Sequence, residues 1–560
     1  MKTRKIALAF CAAMLVISSA TINAGSDSLL KSVAETPPMG WNSFDAWDSR
    51  IDEETYRKTV DFIAENLKEH GWEYAVIDYI WWNPAPGAYN TPDNYIRRVG
   101  HPNVRLNEDG SLKYPEAQPM DEYGRLIPSV ERFPSSAGGK GFKPLADYVH
   151  SKGLKFGIHI MRGMPRQAWY NDLPVKGTDK TARDIAKYGD HAGWLNNMFG
   201  IDYRNEGAQE YYDSIFKLYA EWGVDYIKAD DMMGACGAPF HSYHGGEIAM
   251  MRKAIDNSGR PMVLSLSCGE APISQARHLE ANANMWRVSA DFWDKWDNLQ
   301  RSFQLLDKWS PFIGNNTWPD ADMIPFGHLS VDNRPHGPDR MSMFTPDEHY
   351  TLMTLFSVAR SPLMIGAELM STPMETIETF FKNDEVLYVN QHSTNNRQVI
   401  RVDSEFTDKV DEHYAVWVAE DPANGDYFIA LFNLSDKNKV VGFDFNMEEM
   451  RGAYNVRDLW AGAGLDLDVA LVRVAPAEAA PHGHGHHDLV SGLAEVATGI
   501  AGLGVTAAYV AAVGAHAQAP GAAALLAAAS TRRGQLVRRM GTGRFGRWGR
   551  GSCVLHACDC

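Results

Sequence analysis

Two short apolar runs of the sequence end in acidic side chains, and each carries a cation a few residues earlier. In "VDYIKADD", Lys228 precedes Asp230 and Asp231, and in "MWRVSAD", Arg287 precedes Asp291. If both runs are β-strands, residues two or four apart lie on the same face, so each cation shares a face with one carboxylate. Charge at the end of an apolar strand is costly unless it is paired or has a chemical role. These residues are therefore candidates for a reactive site.

Two carboxylates that face each other across a cleft can carry out glycoside hydrolysis. One carboxylate attacks the anomeric carbon, and the other protonates the departing oxygen and then activates water. Lys228 favours the ionised form of a neighbouring acid, so Asp230, which shares its face, is the candidate nucleophile. Asp291 is the candidate acid/base, and we expect it in drier or more acidic surroundings that keep its proton.

Other side chains that could bind a substrate end the neighbouring predicted strands. They are Asp78, Tyr79, Trp81 and Trp82 after the second strand, His159 and Arg162 on the third, Ser289 on the sixth, and Asp320 and Asp322 after the seventh. A lone aspartate at such a position is usually a loop cap or an ion-pair partner. The histidines are scattered, and no glycine-rich phosphate loop follows a strand. We expect no metal and no organic cofactor, since two carboxylates suffice for this chemistry.

A (β/α)8 barrel would bring these strand ends together. Between residue 38 and about residue 368, apolar runs alternate eight times with helical patterns, which is typical of a parallel sheet with catalytic groups at its C-terminal ends. We predict strands at 38–44, 74–82, 155–161, 224–231, 262–268, 285–291, 317–323 and 362–368, and helices at 52–68, 142–153, 208–222, 246–259, 273–283, 298–309, 346–360 and 374–383. The long segment 83–141 would lie over the barrel mouth.

The rest of the chain divides into two segments. Alternating runs at 414–420, 427–434 and 440–446 predict antiparallel strands, so we expect an α/β fold, a TIM barrel over 36–392 followed by a small antiparallel β-sandwich domain over 393–480. From about residue 463 the chain is rich in Ala and Gly, and we predict no strand there that completes the β domain. Residues 481–560 would be a disordered tail, a weak Ala/Gly transmembrane helix, or sequence not native to the gene, such as a frame-shifted end; we favour the last.

Charge and targeting signals limit the partners and the compartment. The net charge of −16 argues against nucleic acid and gives no basic patch for an anionic membrane, whereas the 16 Trp include candidates for stacking on sugars. The expected partner is therefore an oligosaccharide or polysaccharide. A basic start followed by a short apolar run at 6–17 predicts a cleaved signal peptide over 1–24 and a secreted or periplasmic protein. Cys236 and Cys268 would be either a disulfide or two free buried thiols.

Six blocks of sequence between about residues 36 and 395 match a known pattern in order. They are "TPPMGWNSF", "RFPSS…FKPLADYVHSKGLKFGIHI", "WGVDYIKADD", "MWRVSADFWDKW", "WPDADM" and "RSPLMIGAEL", and they resemble glycoside hydrolase family 27, the α-galactosidase family. The resemblance implies retaining double displacement at a terminal α-D-galactoside or a closely similar sugar, with Asp230 as nucleophile and Asp291 as acid/base. It also implies sugar-binding positions at Asp78, Trp81, Lys228, Arg287 and Asp322.

Three positions depart from the pattern of that family. Tyr79 stands where typical α-galactosidases have a second aspartate, His159 where they have an aromatic residue, and Met232 where they have a cysteine. We count Tyr79 and His159 among the substrate-binding positions. Tyr79 changes recognition of the 4- and 6-hydroxyls, so β-L-arabinopyranose, which lacks carbon 6, is an alternative substrate. The "SCGEAP" loop leaves α-N-acetylgalactosamine open, and a non-catalytic sugar-binding barrel is a further alternative.

Overall fold

The computed structural model describes residues 29–84, 118–192, 195, 197–233, 243–331, 337–404, 407–435, 437, 441–448, 450, 454–460 and 469–476. The predicted signal peptide, most of the 83–141 segment, Cys236 and the 481–560 tail therefore lie outside the described residues. No helix in the described ranges is both long enough and apolar enough to cross a membrane.

Eight parallel strands form the barrel that the sequence predicts. They are β1 Met39–Asn42, β2 Tyr74–Ile77, β3 Lys155–Met161, β4 Tyr226–Asp230, β5 Val263–Leu266, β6 Met285–Arg287, β7 Trp318–Asp320 and β8 Leu363–Ile365. Neighbours pair in the order β8-β1-β2-β3-β4-β5-β6-β7. A parallel bridge between Ile324, just after β7, and Ile365 of β8 joins the two edges of the sheet.

Most of the strands are shorter than predicted, and this moves several site residues onto loops. The run predicted at 74–82 leaves the sheet after Ile77, and Ile80 has a φ of +47°, which an extended strand does not allow. The run predicted at 285–291 leaves the sheet after Arg287, so Asp291 lies four residues beyond the end of β6. Lys228 and Asp230 therefore share one face of β4 as predicted, whereas Asp291 does not lie on a strand face.

Helices alternate with the strands around the barrel. They are α1 Glu53–Asn66, α2 Lys143–Ser151, α3 Ala208–Trp222, α4 Gly245–Ser258, α5 Ala276–Asn282, α6 Trp296–Trp309, α7 Pro346–Val358 and α8 Asp384–His392. The sequence analysis missed α8. The helix predicted at 374–383 is present as a short α-helix, Met374–Thr376, that continues without a break as a π-helical turn over Ile377–Phe381.

Helix α7 lies between the barrel and the second domain. Thr345 caps it: Oγ1 accepts a hydrogen bond from Glu348 N at 3.3 Å, and the Glu348 carboxylate accepts one from Thr345 N at 2.7 Å. Every residue from Tyr350 to Val358 is buried, because the barrel covers one side of α7 and the second domain covers the other.

The second domain is a five-stranded antiparallel sheet. Its strands are β9 Thr394–Val402, β10 Tyr414–Glu420, β11 Tyr427–Asn433, β12 Tyr454–Asp458 and β13 Val469–Pro476, in the order β9-β10-β11-β13-β12. Alternation separates the two faces of the sheet: Trp417 and Phe432 join the barrel core, while Val416 and Ile429 join a separate outer cluster.

Two expectations for this domain are wrong. The alternating run at 440–446 is not a strand where it is described; Val441, Phe443 and Phe445 instead cover the outer face of the sheet. The Ala-rich region after residue 463 does contain a strand, because β13 pairs with both β11 and β12. Alternation therefore marked residues that pack on the sheet as well as residues within it.

Trp460 joins the β domain to the barrel. Its indole nitrogen donates a hydrogen bond to Thr354 Oγ1 of α7 at 2.9 Å. Its ring lies 4.9 Å from that of Tyr350 and 5.9 Å from that of Phe380. The buried side chain thus contacts α7 and the turn before α8 at once.

We expect Trp460→Ala to lower the free energy of unfolding by about 3–5 kcal/mol, because it removes a large buried side chain and leaves a cavity at the junction. Chemical denaturation would measure the loss. Met447→Ala, which truncates an exposed side chain on the outer segment, is the control and should change stability by less than about 0.5 kcal/mol. Equal effects of the two substitutions would contradict the role given to Trp460.

Candidate active site

A buried ion pair between strands β2 and β4 forms one wall of the site. Lys228 Nζ donates to Asp78 Oδ2 at 2.9 Å, and Asn42 Nδ2 donates to the same oxygen at 2.7 Å. Burial opposes ionisation of Asp78, but the charge of Lys228 and the hydrogen bonds it receives lower its pKa to about 2. Burial also opposes the charge on Lys228, and Asp78 and Asp230 outweigh it and raise the pKa of the ammonium. Both groups are therefore ionised near neutral pH.

Asp230 lies beside this pair, at the last position of β4. The register of β3 against β4 places His159 opposite Lys228, and His159 Nε2 lies 3.1 Å from Asp230 Oδ2. Burial works against the carboxylate, but the hydrogen bond from His159 and the charge of Lys228 lower the pKa of Asp230 below its usual value. Because Asp230 is then ionised, Nε2 is the ring nitrogen that carries the proton. The site thus contains a buried carboxylate that is already charged.

Arg287 lies between Asp291, the second candidate carboxylate, and Asp322. Its Nη2 lies 2.6 Å from Asp322 Oδ2 and 3.4 Å from Asp291 Oδ1. The loop that carries Asp291 is tied to Asp322 by a 2.8 Å hydrogen bond from Phe292 N. Burial, opposed by Arg287, raises the pKa of Asp322 to about 7. Asn42, Lys228, Arg287, Asp320 and Asp322 also line a common cavity of about 20 Å³, enough for one water molecule.

The surroundings of Asp291 differ from the expectation. Its side chain is 51% exposed, so the prediction of a drier position is wrong; the residue lies on a loop rather than on the inward face of a strand. The more acidic surroundings are present, because Asp322 approaches the same nitrogen of Arg287 as Asp291 does. The two candidate carboxylates therefore differ in environment, one buried and paired, the other open to solvent.

Trp81 requires a correction. It is completely buried, its Nε1 donates to the carbonyl oxygen of His159 at 2.6 Å, and its ring packs against Phe142 and Trp222. It has no free face for a sugar, and Trp82 is almost as buried. Its position supports the backbone of His159 from below. Trp81 and Trp82, both among the side chains predicted to be able to bind a substrate, are therefore taken up by packing inside the protein.

Tyr79 lies next to His159, the residue that contacts Asp230. Its ring packs edge-on against His159 and Phe44, with centroids 5.9 Å apart in each case. Only 5% of its surface is exposed. A bulky aromatic side chain thus occupies the position after Asp78.

Asp45, which follows β1, lies in the site but is not among the residues predicted from the sequence. It is buried, and its Oδ2 has no hydrogen-bond partner among the described residues. A Cβ on Gly366 would lie 2.2 Å from that oxygen, so glycine at the end of β8 leaves room for the carboxyl group. Burial, together with the charge of Asp322, raises the pKa of Asp45 well above its usual value. No pattern in the sequence points to this role, since a single aspartate after a strand is most often a cap.

We expect Asp45→Asn to raise the melting temperature at pH 7, with a smaller gain at pH 4. The folded protein raises the pKa of Asp45, so the unfolded chain releases a proton that the folded chain holds, and the wild type loses stability as pH rises from about 4 towards the folded pKa. An amide of the same shape removes this dependence. Thermal denaturation at the two pH values is the measurement.

The exposed Asp179 provides the control for this experiment, since Asp179→Asn should leave the pH dependence of melting unchanged. A variant at Asp45 that is less stable than the wild type at pH 7, or that gains equally at both pH values, would contradict a protonated Asp45.

A disulfide bond lies close to the site. Cys268, directly after β5, is disulfide-bonded, so the free-thiol alternative is excluded for it. Its loop adjoins the loop after Asp230, because Met232 N donates to Ser267 O at 2.8 Å. The disulfide therefore constrains the segment beside Asp230.

The fold and the site together define a class of enzyme. A (β/α)8 barrel that holds two carboxylates of contrasting environment at the C-terminal ends of its strands is typical of the glycoside hydrolases. Asp78, Tyr79, His159, Lys228, Arg287 and Asp322 surround them, so the structure brings together the predicted residues apart from the buried Trp81.

Comparison with known proteins supports the assignment to the glycoside hydrolases and identifies the family. The family model described as "Alpha galactosidase A" matches residues 176–392, and "Alpha galactosidase C-terminal beta sandwich domain" matches residues 411–484. A crystal structure of a β-L-arabinopyranosidase of glycoside hydrolase family 27 from Geobacillus stearothermophilus is 42% identical, with a TM-score of 0.71 over 81% of this chain and 99% of that one. The chain belongs to glycoside hydrolase family 27.

More distant relatives in the family have other substrates in their names. "Alpha-galactosidase 2" of Arabidopsis thaliana is 26% identical over 69% of this chain and 74% of its own length. "Alpha-N-acetylgalactosaminidase" of Gallus gallus is 26% identical over 64% of this chain and 71% of its own length.

Proposed function

We propose that this chain is a retaining exo-glycosidase that hydrolyses terminal β-L-arabinopyranosides, with α-D-galactosides as the second substrate class. The two sugars have the same ring layout and differ in the hydroxymethyl group at carbon 5. The observation that carries the proposal is the buried Asp230, held ionised by His159 and Lys228 at the end of β4.

In the first step, an oxygen of Asp230 attacks the anomeric carbon and a covalent glycosyl-enzyme forms as the bond to the leaving oxygen breaks. His159 and Lys228 hold the carboxylate in place and in its charged form before the sugar arrives. Burial without these partners would leave Asp230 protonated and unreactive.

Asp291 gives its proton to the leaving oxygen in this step and removes one from water in the second step. Its half-exposed position suits both roles, because the leaving group departs to solvent and water enters from there. Arg287, 3.4 Å away, would stabilise the carboxylate once the proton has left.

Tyr79 supports the preference for a sugar without carbon 6. The family pattern has an aspartate at this position, which would accept hydrogen bonds from the 4- and 6-hydroxyls of galactose. Here a nearly buried ring fills the position between Phe44 and His159. It offers fewer acceptors and takes up more volume than a carboxylate. The 42% identity to a β-L-arabinopyranosidase supports the same choice.

We expect Asp230→Ala to lower kcat on a nitrophenyl glycoside by about 10,000-fold or more, since the covalent step is lost. Azide should restore part of the turnover and yield a glycosyl azide of inverted configuration, because the anion occupies the place of the missing carboxylate. Product analysis by NMR would identify this sugar.

Asp225→Ala provides a matched control. Asp225 directly precedes the same strand, β4, at the opposite end of the barrel, where it pairs with His150 and Arg260. This variant should lose stability while keeping its kcat per folded molecule. Full activity of Asp230→Ala would reject the proposed function.

We expect kcat/KM on nitrophenyl β-L-arabinopyranoside to exceed kcat/KM on nitrophenyl α-D-galactoside, with nitrophenyl α-N-acetylgalactosaminide lower still. Tyr79→Asp should move the ratio of the first two towards galactoside by about tenfold, since it frees volume and adds acceptors. Tyr79→Phe, which keeps the ring, should retain the wild-type order. A wild-type preference for galactoside, unaltered by Tyr79→Asp, would contradict the assignment of the substrate.

A further inference from the structure

We propose that Arg162 is the positioning residue of the nucleophile. It fixes the turn that follows β4, so that the Asp230 side chain keeps its place in the site. This inference rests on the proposed role of Asp230 as nucleophile and adds a residue that makes no contact with the sugar.

Arg162 holds two consecutive peptide carbonyl groups. Its backbone N donates to Asp230 O at 3.1 Å, and its Nε donates to Asp231 O at 3.1 Å. Its Nη2 also donates to Asp231 Oδ2 at 2.8 Å. Asp231 has a φ of +64°, a left-handed conformation that residues other than glycine rarely adopt. The contacts therefore hold the left-handed turn that directly follows Asp230.

Arg162 is itself fixed by two other segments. Nη1 donates to Glu247 Oε1 of α4 at 2.8 Å, and Nη2 donates to Asp190 Oδ1 at 2.9 Å. Tyr212 OH donates to the second oxygen of Glu247 at 2.6 Å, which holds that carboxylate in turn. The Arg162 side chain is only 2% exposed, so all three nitrogens of its planar group act without competition from solvent.

The arrangement explains why Asp230 needs such support. The carboxylate is the last residue of β4, where the hydrogen-bonded ladder of the sheet ends, and an error of about 1 Å in a reacting group can cost about 100-fold in rate. Arg162 extends the fixed geometry one residue past the strand. The sugar-binding pairs, Lys228 with Asp78 and Arg287 with Asp322, form contacts separate from these.

A metal site at the same place is the other interpretation. Asp190, His244 and Glu247 bring three possible ligand atoms within 4.8 Å of one another. However, Arg162 donates to both Asp190 and Glu247, so a guanidinium already supplies positive charge to these carboxylates. The cluster of acidic groups is accounted for by this cation.

The test compares Arg162→Met and Arg162→Lys with Arg252→Met. Arg252 is a matched control, because it is also a buried arginine, lies on α4 near Glu247, and pairs with Asp256. For each variant, kcat and KM on a nitrophenyl glycoside, the inhibition constant of free L-arabinose, and the folded fraction by thermal melting are measured.

We expect Arg162→Met to lower kcat per folded molecule by about 100-fold while the inhibition constant of L-arabinose changes by less than about threefold. Arg162→Lys should recover about tenfold of that loss, since it restores the charge but not the fork of donors. Arg252→Met should lower the melting temperature and leave kcat unchanged. A purely structural role would lower the folded fraction and leave kcat per folded molecule at the wild-type value.

Wild-type kcat in the folded fraction of both Arg162 variants would overturn the inference, as would an equal loss of L-arabinose affinity and kcat. If Arg162→Met does not fold, Asp231→Asn removes the charge that Arg162 contacts and should lower kcat in the same selective way; an unchanged kcat there would overturn it too. Asp230→Ala separates the two proposals. An active Asp230→Ala variant would reject the proposed function. An inactive Asp230→Ala variant that azide rescues, together with wild-type kcat in the Arg162 variants, would reject only the positioning role of Arg162.

Discussion

The barrel mouth buries more carboxyl groups than cations, and this imbalance of charge determines the state of each group. The buried acids are Asp45, Asp78, Asp230, Asp320 and Asp322, and they share the buried cations Lys228 and Arg287. Since an uncompensated buried charge is costly, the acids cannot all be ionised at neutral pH. Those bound to Lys228 or His159 have lowered pKa values, and the pKa values of Asp45, Asp320 and Asp322 are raised.

The division of these acids into ionised and protonated groups exists before a sugar binds. A nucleophile must be ionised and partly freed from water, two conditions that oppose each other for an isolated carboxylate. The hydrogen bond from His159 and the charge of Lys228 together meet both conditions for Asp230, while the direct hydrogen bond of Lys228 goes to Asp78. The preorganised field is then available to the transition state without rearrangement of the protein.

The sequence predicted the barrel because its apolar runs and helices alternate strongly, and β3, α3 and β10 have their predicted bounds. Strand ends were less predictable. The chain leaves the sheet after Ile77 and adopts a left-handed conformation at Ile80, which the run of apolar residues does not reveal. The β9 run "TNNRQVIRV" is polar because it is a partly exposed edge strand, so it has no alternation to detect.

Within the site, residues on strands were easier to predict than residues on loops. Lys228, Asp230 and His159 follow from strand periodicity, since neighbouring strands in register bring them together. Trp81 is a residue type that often stacks on sugars, but here its ring packs against Phe142 and its indole nitrogen donates to the carbonyl oxygen of His159. Asp45 and Arg162 act through three-dimensional contacts with residues distant in sequence, which spacing does not encode.

The two consecutive aspartates at the end of β4 have different tasks for a geometric reason. Alternation within β4 puts Asp230 on the side of Lys228, whereas Asp231 lies in the turn just beyond the strand. Asp231 meets Arg162 there, and the bond holds the chain in its left-handed turn. Exchanging their roles would require a shift of β4 by one residue, which would also turn Lys228 away from Asp78 and break their ion pair. The position of Asp230 is thus fixed by the same register that pairs Lys228 with Asp78.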